Sequence, residues 1–374
     1  MKRRARLVAW VLGLLAAGVV IVLVVPSWRS GVLARIRGEP FAEGRPISHW
    51  VDTLQTGNDS DRAHAAHVLG ESGADAPGVV TALAGALKDE NPVVRRNAAT
   101  ALARFGAHPD AVTALLGALK DSERTVRQEA ARSLAQVRPL PSEAVRPLLE
   151  TVQGDRDPFI RVFSITAIGH AGDQAAEAVP TLIDILKERA GSGPADPSAA
   201  AAQALAEIGP AARPALISAL DSKDARTRAA AAGLLGRMGP VPPSALDALE
   251  RMLKDQDRVA RVQAAGALWK LDRRVTTTLP ILIEAVADRD SLIRSLTVDA
   301  LAAMGPEAGP AVPALVPVLR DENYMTRRSA AAALGKIGPA AREAIPALRA
   351  ALQDEEPDVR REATEALKAI DPPK

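Results

Sequence analysis

The sequence predicts an all-α solenoid of about ten helix pairs, preceded by one transmembrane helix. Three observations predict it. An arginine returns about every 33 residues across about 300 residues, Gly-Pro helix breaks fall in register with it, and a 19-residue run near the N-terminus carries no charge. Composition agrees. Aromatic residues make up only 2% of the chain while alanine and leucine are plentiful, and small side chains suit helices whose axes lie close together.

The first element is the uncharged run Leu7 to Val25, LVAWVLGLLAAGVVIVLVV. As a helix it reaches roughly 28 Å, close to the hydrocarbon thickness of a bilayer. Lys2, Arg3, Arg4 and Arg6 precede it, Pro26 ends it and Trp28 stands where an interfacial aromatic would. The length of the run and the lack of a small-x-small site argue against a cleaved signal peptide. The expected organisation is a basic tail (1–6), a transmembrane helix (7–25), a juxtamembrane stem (26–45), the repeats (46–371) and a short tail (372–374). The basic bias favours the N-terminus inside, which puts the repeats on the non-cytoplasmic side of a single-pass cell-membrane protein.

The repeats are the main signal. The recurring residues are Arg62, Arg95, Arg127, Arg161, Ser198, Arg228, Arg261, Arg294, Arg327 and Arg360, spaced 33, 32, 34, 37, 30, 33, 33, 33 and 33. Seven residues after each stands Leu69, Leu102, Leu134, Ile168, Leu205, Leu235, Leu268, Leu301, Leu334 or Leu367. Small residues at +3 and +4 and an aliphatic at +10 complete one helix face. Gly-Pro then ends the helix at Gly209-Pro210, Gly239-Pro240, Gly305-Pro306 and Gly338-Pro339. A second proline, at Pro180, Pro280, Pro313 and Pro346, is expected in the first turn of the other helix, where it forfeits no hydrogen bond. Each helix is too short to stand alone and must bury its stripe on its neighbours. Repeat 5 departs from the pattern: it lacks the arginine and carries KERAGSGPADPS at 187–198, a longer turn that is either a tolerated insertion or a flex point.

These columns resemble the HEAT family, most closely its bilin-lyase-like (PBS lyase HEAT-like) subclass, over about residues 46–371. The resemblance implies a ladder between successive repeats, made by the arginines with Asp89, Asp121, Asp155, Asp255, Asp288, Asp321 and Asp354; Thr56, Ser192 and Ser222 interrupt the aspartate column. It also implies that the second helices line a concave side. Positions +1, +2, +5 and +9 after the arginine face away from the core, and the candidate partner-binding residues there are Arg96, Arg104, Arg132, Phe163, His170, Arg237, Lys270, Leu296 and Arg328.

Chemistry is sparse by comparison. There is no cysteine, and 47 basic residues balance 45 acidic ones to a net +2, which gives no electrostatic case for nucleic acid. His64, His67 and Glu71 share one helix face and are a weak metal candidate, but no HExxH, phosphate loop or GxSxG occurs, and no His-Glu dipeptide of the kind that holds iron in HEAT-like hydroxylases. The expectation is a membrane-anchored scaffold that binds a protein or peptide, without enzymatic activity or cofactor. The resemblance offers two alternatives: a bilin lyase or isomerase, and a nucleic-acid binder akin to HEAT-like glycosylases.

Overall fold

The computed structural model describes residues 34–35, 38–73, 76, 78–188 and 195–372. The expected transmembrane helix lies outside them, as do the basic tail and half of the stem. Among the described residues no helix is long and apolar enough to cross a membrane.

The described chain forms two compact bodies, divided between Ala178 and Val179. The N-terminal body pairs α1 (Ile47–Thr56) with α2 (Asp59–Ser72), α3 (Val79–Ala86) with α4 (Pro92–Leu102), α5 (Pro109–Ala118) with α6 (Arg124–Leu134), and α7 (Val145–Gly154) with α8 (Pro158–Gly169). The C-terminal body pairs α9 (Val179–Ile185) with α10 (Pro197–Ile208), α11 (Arg213–Ala219) with α12 (Ala225–Met238), α13 (Pro243–Met252) with α14 (Arg258–Asp272), α15 (Val275–Ala285) with α16 (Ser291–Met304), α17 (Val312–Leu315) with α18 (Tyr324–Ile337), and α19 (Ile345–Ala351) with α20 (Pro357–Ile370). Ten helix pairs thus follow the sequence beat, and within each body they stack as a solenoid. The division between bodies falls ahead of repeat 5 and not in its long turn, of which residues 189–194 lie outside the description.

Even-numbered helices pack on even-numbered neighbours through the alanine and leucine columns. Ala98, Ala99, Leu102, Ala264, Ala265 and Leu268 are fully buried. Glycine brings some of these helices unusually close. A Cβ on Gly70 of α2 would stand 2.7 Å from the Cβ of Ala101 in α4, and one on Gly236 of α12 would stand 2.8 Å from the Cα of Ala267 in α14.

The ladder is present. Arg327 Nε and Nη2 donate to the two carboxylate oxygens of Asp354 at 2.8 and 2.9 Å, while Nη1 donates to the Asp321 carbonyl of its own turn at 3.0 Å. The same fork joins Arg62 to Asp89, Arg95 to Asp121, Arg228 to Asp255 and Arg294 to Asp321, and Arg127 Nε reaches Asp155 at 2.8 Å. Each carboxylate therefore takes the arginine of the preceding repeat, and each arginine also ties down its own inter-helix turn. Asp288 is the exception: Arg258 holds it, at 2.8 and 2.9 Å. In repeat 4 Arg161 donates to the Val152 carbonyl, and in repeat 5 Ser198 Oγ donates to the Leu186 carbonyl.

A second column was not anticipated. The ladder carboxylate also accepts the backbone N–H two residues on, as Asp255 does from Asp257. That residue caps the second helix. Asn91, Asp157, Asp196, Asp224, Asp257, Asp290 and Asn323 all accept N–H groups of the first helical turn.

A short hairpin precedes the all-α solenoid: Phe41–Ala42 (β1) pairs antiparallel with Arg45–Pro46 (β2) across Glu43 and Gly44, both at positive φ. Trp50 Nε1 donates to the Ala42 carbonyl at 2.9 Å and fastens this hairpin to α1. Pro280 lies inside α15 and not in its first turn. The first helix of repeat 9 is only four α residues long and continues as 3₁₀ over Val316–Arg320, because Pro317 cannot donate an α-type bond there.

Candidate functional site

Among the described residues, the exposed side of the even-numbered helices carries a hollow in each body. The first lies among α2, α4 and α6, with a volume of about 390 Å³. His67, Glu71, Asn97, Thr100, Arg104, Arg132 and Gln136 line it, all from positions +2, +5 and +9 of the repeat. The expected residues Arg104 and Arg132 thus meet in one site. Glu71 reaches Arg104 at 3.7 Å, and both side chains are more than half exposed, so this pair is screened and weak. Arg132 is held more firmly: Glu129 accepts its Nε at 2.9 Å, and Thr100 Oγ1 steadies Glu129 at 3.0 Å. Asn97 Nδ2 donates across to the Ala63 carbonyl at 2.9 Å. The hollow is polar, carries both signs of charge, and offers one guanidinium free to exchange partners.

The second hollow, of about 150 Å³, lies among α12, α14 and α16. Here Gly233, Gly266, Gln263 and Leu296 form the walls, and Lys270 and Asp299 stand in its lining. Burial pushes the Asp299 carboxyl above its ordinary range, against the opposing pull of Lys336, Ser329, Arg328 and Lys270.

The remaining expected residues fare differently. Arg96 is exposed, while Phe163, Leu296 and Arg328 are only half-exposed, so packing takes part of each. Arg237 is exposed on α12. His170 does not stand free for a partner: its Nε2 lies 2.5 Å from Arg138 and its carbonyl accepts the Leu140 N–H, so it braces a connection between repeats. The metal candidate is not assembled. His64 Nε2 turns to Glu43 of the hairpin at 3.0 Å and its ring meets Trp50 edge-on, while Glu71 extends toward Arg104. Among the described residues no three His, Asp or Glu side chains converge as metal ligands.

Sequence reasoning missed Thr100 and Gln136 as members of the first hollow, although their +5 and +9 positions carried the signal. It also missed Trp269, buried at +8, whose Nε1 donates to Glu307 while Arg273 lies over its ring at 4.3 Å. Larger but shallower grooves, of about 560 and 630 Å³, run along the first helices near Thr81, Gly85 and Lys88. Charged side chains line them too, Lys88, Asp110, Lys120 and Asp121 in the first and Arg62, Lys88, Asp89 and Glu90 in the second, but Arg62, Asp89 and Asp121 are already held in the ladder.

A family model described as HEAT repeats matches residues 47–135, 115–196, 183–269 and 312–374. No curated protein matches the chain. Among solved structures, the karyopherin Kap121p bound to the extreme C-terminus of the protein phosphatase Cdc14p is similar, with a TM-score of 0.61 at 14% identity over 88% of this chain and 42% of that one. Kap121p bound to Pho4p gives 0.60 at 14% identity, over 88% and 42%. Kap95p, from a structure describing its effect on the switch loops of RanGDP, gives 0.62 at 15% identity over 87% of this chain and 51% of that one. The chain therefore spans about two fifths to one half of the length of these karyopherins, and at such identity the likeness concerns the fold.

Proposed function

The chain belongs to the HEAT-repeat family, and on that premise we propose that it is a non-enzymatic scaffold whose second-helix side captures a protein or peptide partner. The observation that carries this reading is the convergence of Arg104, Arg132, Asn97 and His67 on one polar hollow built from variable positions of three successive repeats. The invariant-looking columns are spent on alanine packing and the arginine forks, so the side chains left for recognition are those of positions +1, +2, +5 and +9. Kap121p, of similar fold, is bound to the extreme C-terminus of Cdc14p in one structure and to Pho4p in another. Mixed charge favours a protein over a polyanion.

The proposal extends to the uncharged run 7–25, which would tether the scaffold to a membrane with the repeats on the non-cytoplasmic side. Its support is the length of that run and the basic residues before it. Reporter fusions at both termini test the orientation.

The binding reading is tested by placing a photo-crosslinking residue at position 104 or, on the first-helix side, at position 88 of the full-length chain. We expect a discrete adduct from 104 and none from 88, and the purified partner should bind Arg104→Glu/Arg132→Glu at least tenfold more weakly. Equal labelling from both positions, or unchanged affinity, overturns the reading.

A further inference from the structure

The glycines of α12 and α14 are not equivalent. Gly236 is required by packing, since a Cβ there would collide with the Ala267 backbone at 2.8 Å. Gly233 is covered by its neighbour: the Gln263 side-chain oxygen lies 2.7 Å from where a Cβ would stand. Gly266 has neither reason. Its nearest obstacle would be the Ala300 Cβ at 3.7 Å, an ordinary contact, and its φ is not in the left-handed region. Glycine in mid-helix costs stability relative to alanine. At the same +5 position the other repeats carry His67, Thr100, Arg132, Thr166, Gln203, Asp299, Ala332 and Glu365, so only Gly233 and Gly266 leave the row bare. The helix thus forgoes stability at a position where packing asks for no glycine, and the result is an open hollow.

The hollow is the size of one compact apolar group. A cavity of about 150 Å³ accommodates a molecule such as benzene. Leu296 supplies an apolar wall and the aliphatic stem of Lys270 another. Its surroundings are basic. Arg237 and Lys270 stand 33 residues apart at +9, Lys336 occupies the same position on α18, and Arg328 stands at +1 of that helix. Among the described residues, Arg237, Lys270 and Lys336 have no ion-pair partner within 4.0 Å. Two carboxylates offset this group: Asp299 in the lining, and Glu307, which accepts from the indole of the lining residue Trp269 and stands 4.0 Å from Arg273.

We propose that the Gly266 hollow is a side-chain pocket for a peptide that places one aliphatic residue between carboxylates, the aliphatic group entering beside Leu296 and the carboxylates meeting Lys270 and Arg237. It rests on the second-helix reading above and adds to it the chemistry of the occupant.

The test uses the full-length chain in detergent and fluorescein-labelled peptides of the form Gly-Ser-Glu-X-Glu-Ser-Gly, with X varied over all side chains, read by fluorescence anisotropy. Leu, Ile, Val or Met at X should bind at least tenfold more tightly than Gly or Lys. Gly266→Leu should abolish that preference. Gly266→Ala, which fits without a clash, should weaken it several-fold while leaving the melting temperature equal or higher. Lys270→Glu should weaken every acidic peptide. Binding indifferent to X, absent binding, or a preference that survives in both Gly266 variants overturns the pocket. Loss of the position-104 adduct would instead strike the broader scaffold reading, so the two failures are told apart.

Discussion

At the scale of single residues, the arginine column is the clearest case of sequence stating its own purpose. Arg327 is only 9% exposed, and its guanidinium spends all three nitrogens on two turns. Removing it leaves Asp354 buried with a lost charge-assisted fork, so Arg327→Ala should cost about 3 kcal/mol. Arg327→Lys should recover less than half of this, because an ammonium cannot span both carboxylate oxygens and the Asp321 carbonyl at once. Urea unfolding followed by far-UV circular dichroism decides it, and equal losses for the two variants would contradict the fork. The columns themselves were legible because nine of ten repeats restate the arginine and seven the aspartate. Which arginine serves which aspartate was not: Asp288 takes Arg258 and not Arg261, a choice made by three-dimensional reach. The recognition residues were half legible. Position alone placed Arg104 and Arg132 on the exposed side, but His170 at an equivalent position was claimed by Arg138, which stands in a connection that follows no repeat.

At the scale of the element, helix starts and close approaches set the precision of the stack. Asp224 accepts the Thr227 N–H at 2.9 Å as the cap of α12, so Asp224→Ala should cost about 1 kcal/mol. Gly236→Ala should cost about 1–3 kcal/mol by overpacking α12 against α14, despite the better helix propensity of alanine. The contrast with Gly266→Ala, one repeat later, is diagnostic: thermal melting should show a loss for the first and none for the second. Two losses of equal size would mean that the helix spacing is set elsewhere. The helices were legible from periodicity; their caps, in the Asp-x-Asp/Asn turns, were not read because the ladder aspartate had already accounted for those turns. The hairpin before α1 was not legible. Two-residue strands have no period to detect, and what fixes them is the distant Trp50 indole and the positive φ of Glu43 and Gly44.

At the scale of the whole molecule, the forks act in series, and acid attacks all of them together. At Asp89, Asp255 and Asp354 the hydrogen bonds from Arg62, Arg228 and Arg327 are the largest influence and hold each carboxyl below its ordinary range. At Asp121 and Asp321 burial is the largest influence and pushes upward, but the Arg95 and Arg294 forks with a backbone N–H outweigh it, and the net direction is again down. A carboxyl lowered in the folded state contributes stability that is fully present above its unfolded value, about pH 4, and is lost as pH falls through the folded value. Asp299 runs the other way: raised by burial, its contribution is present below the unfolded value and lost as pH rises. It is one group against the five of the forks, with Asp157 and Asp224 lowered as well, so the net dependence is acid lability. The urea midpoint should stay level between about pH 6 and 8 and fall steeply below about pH 4. Because each stacked repeat leans on its neighbour, the loss should exceed that of any single Arg-to-Ala variant. A midpoint unchanged down to about pH 3 would show that the ladder is geometry without energetic weight, and that the alanine-leucine interfaces alone hold the repeats in register.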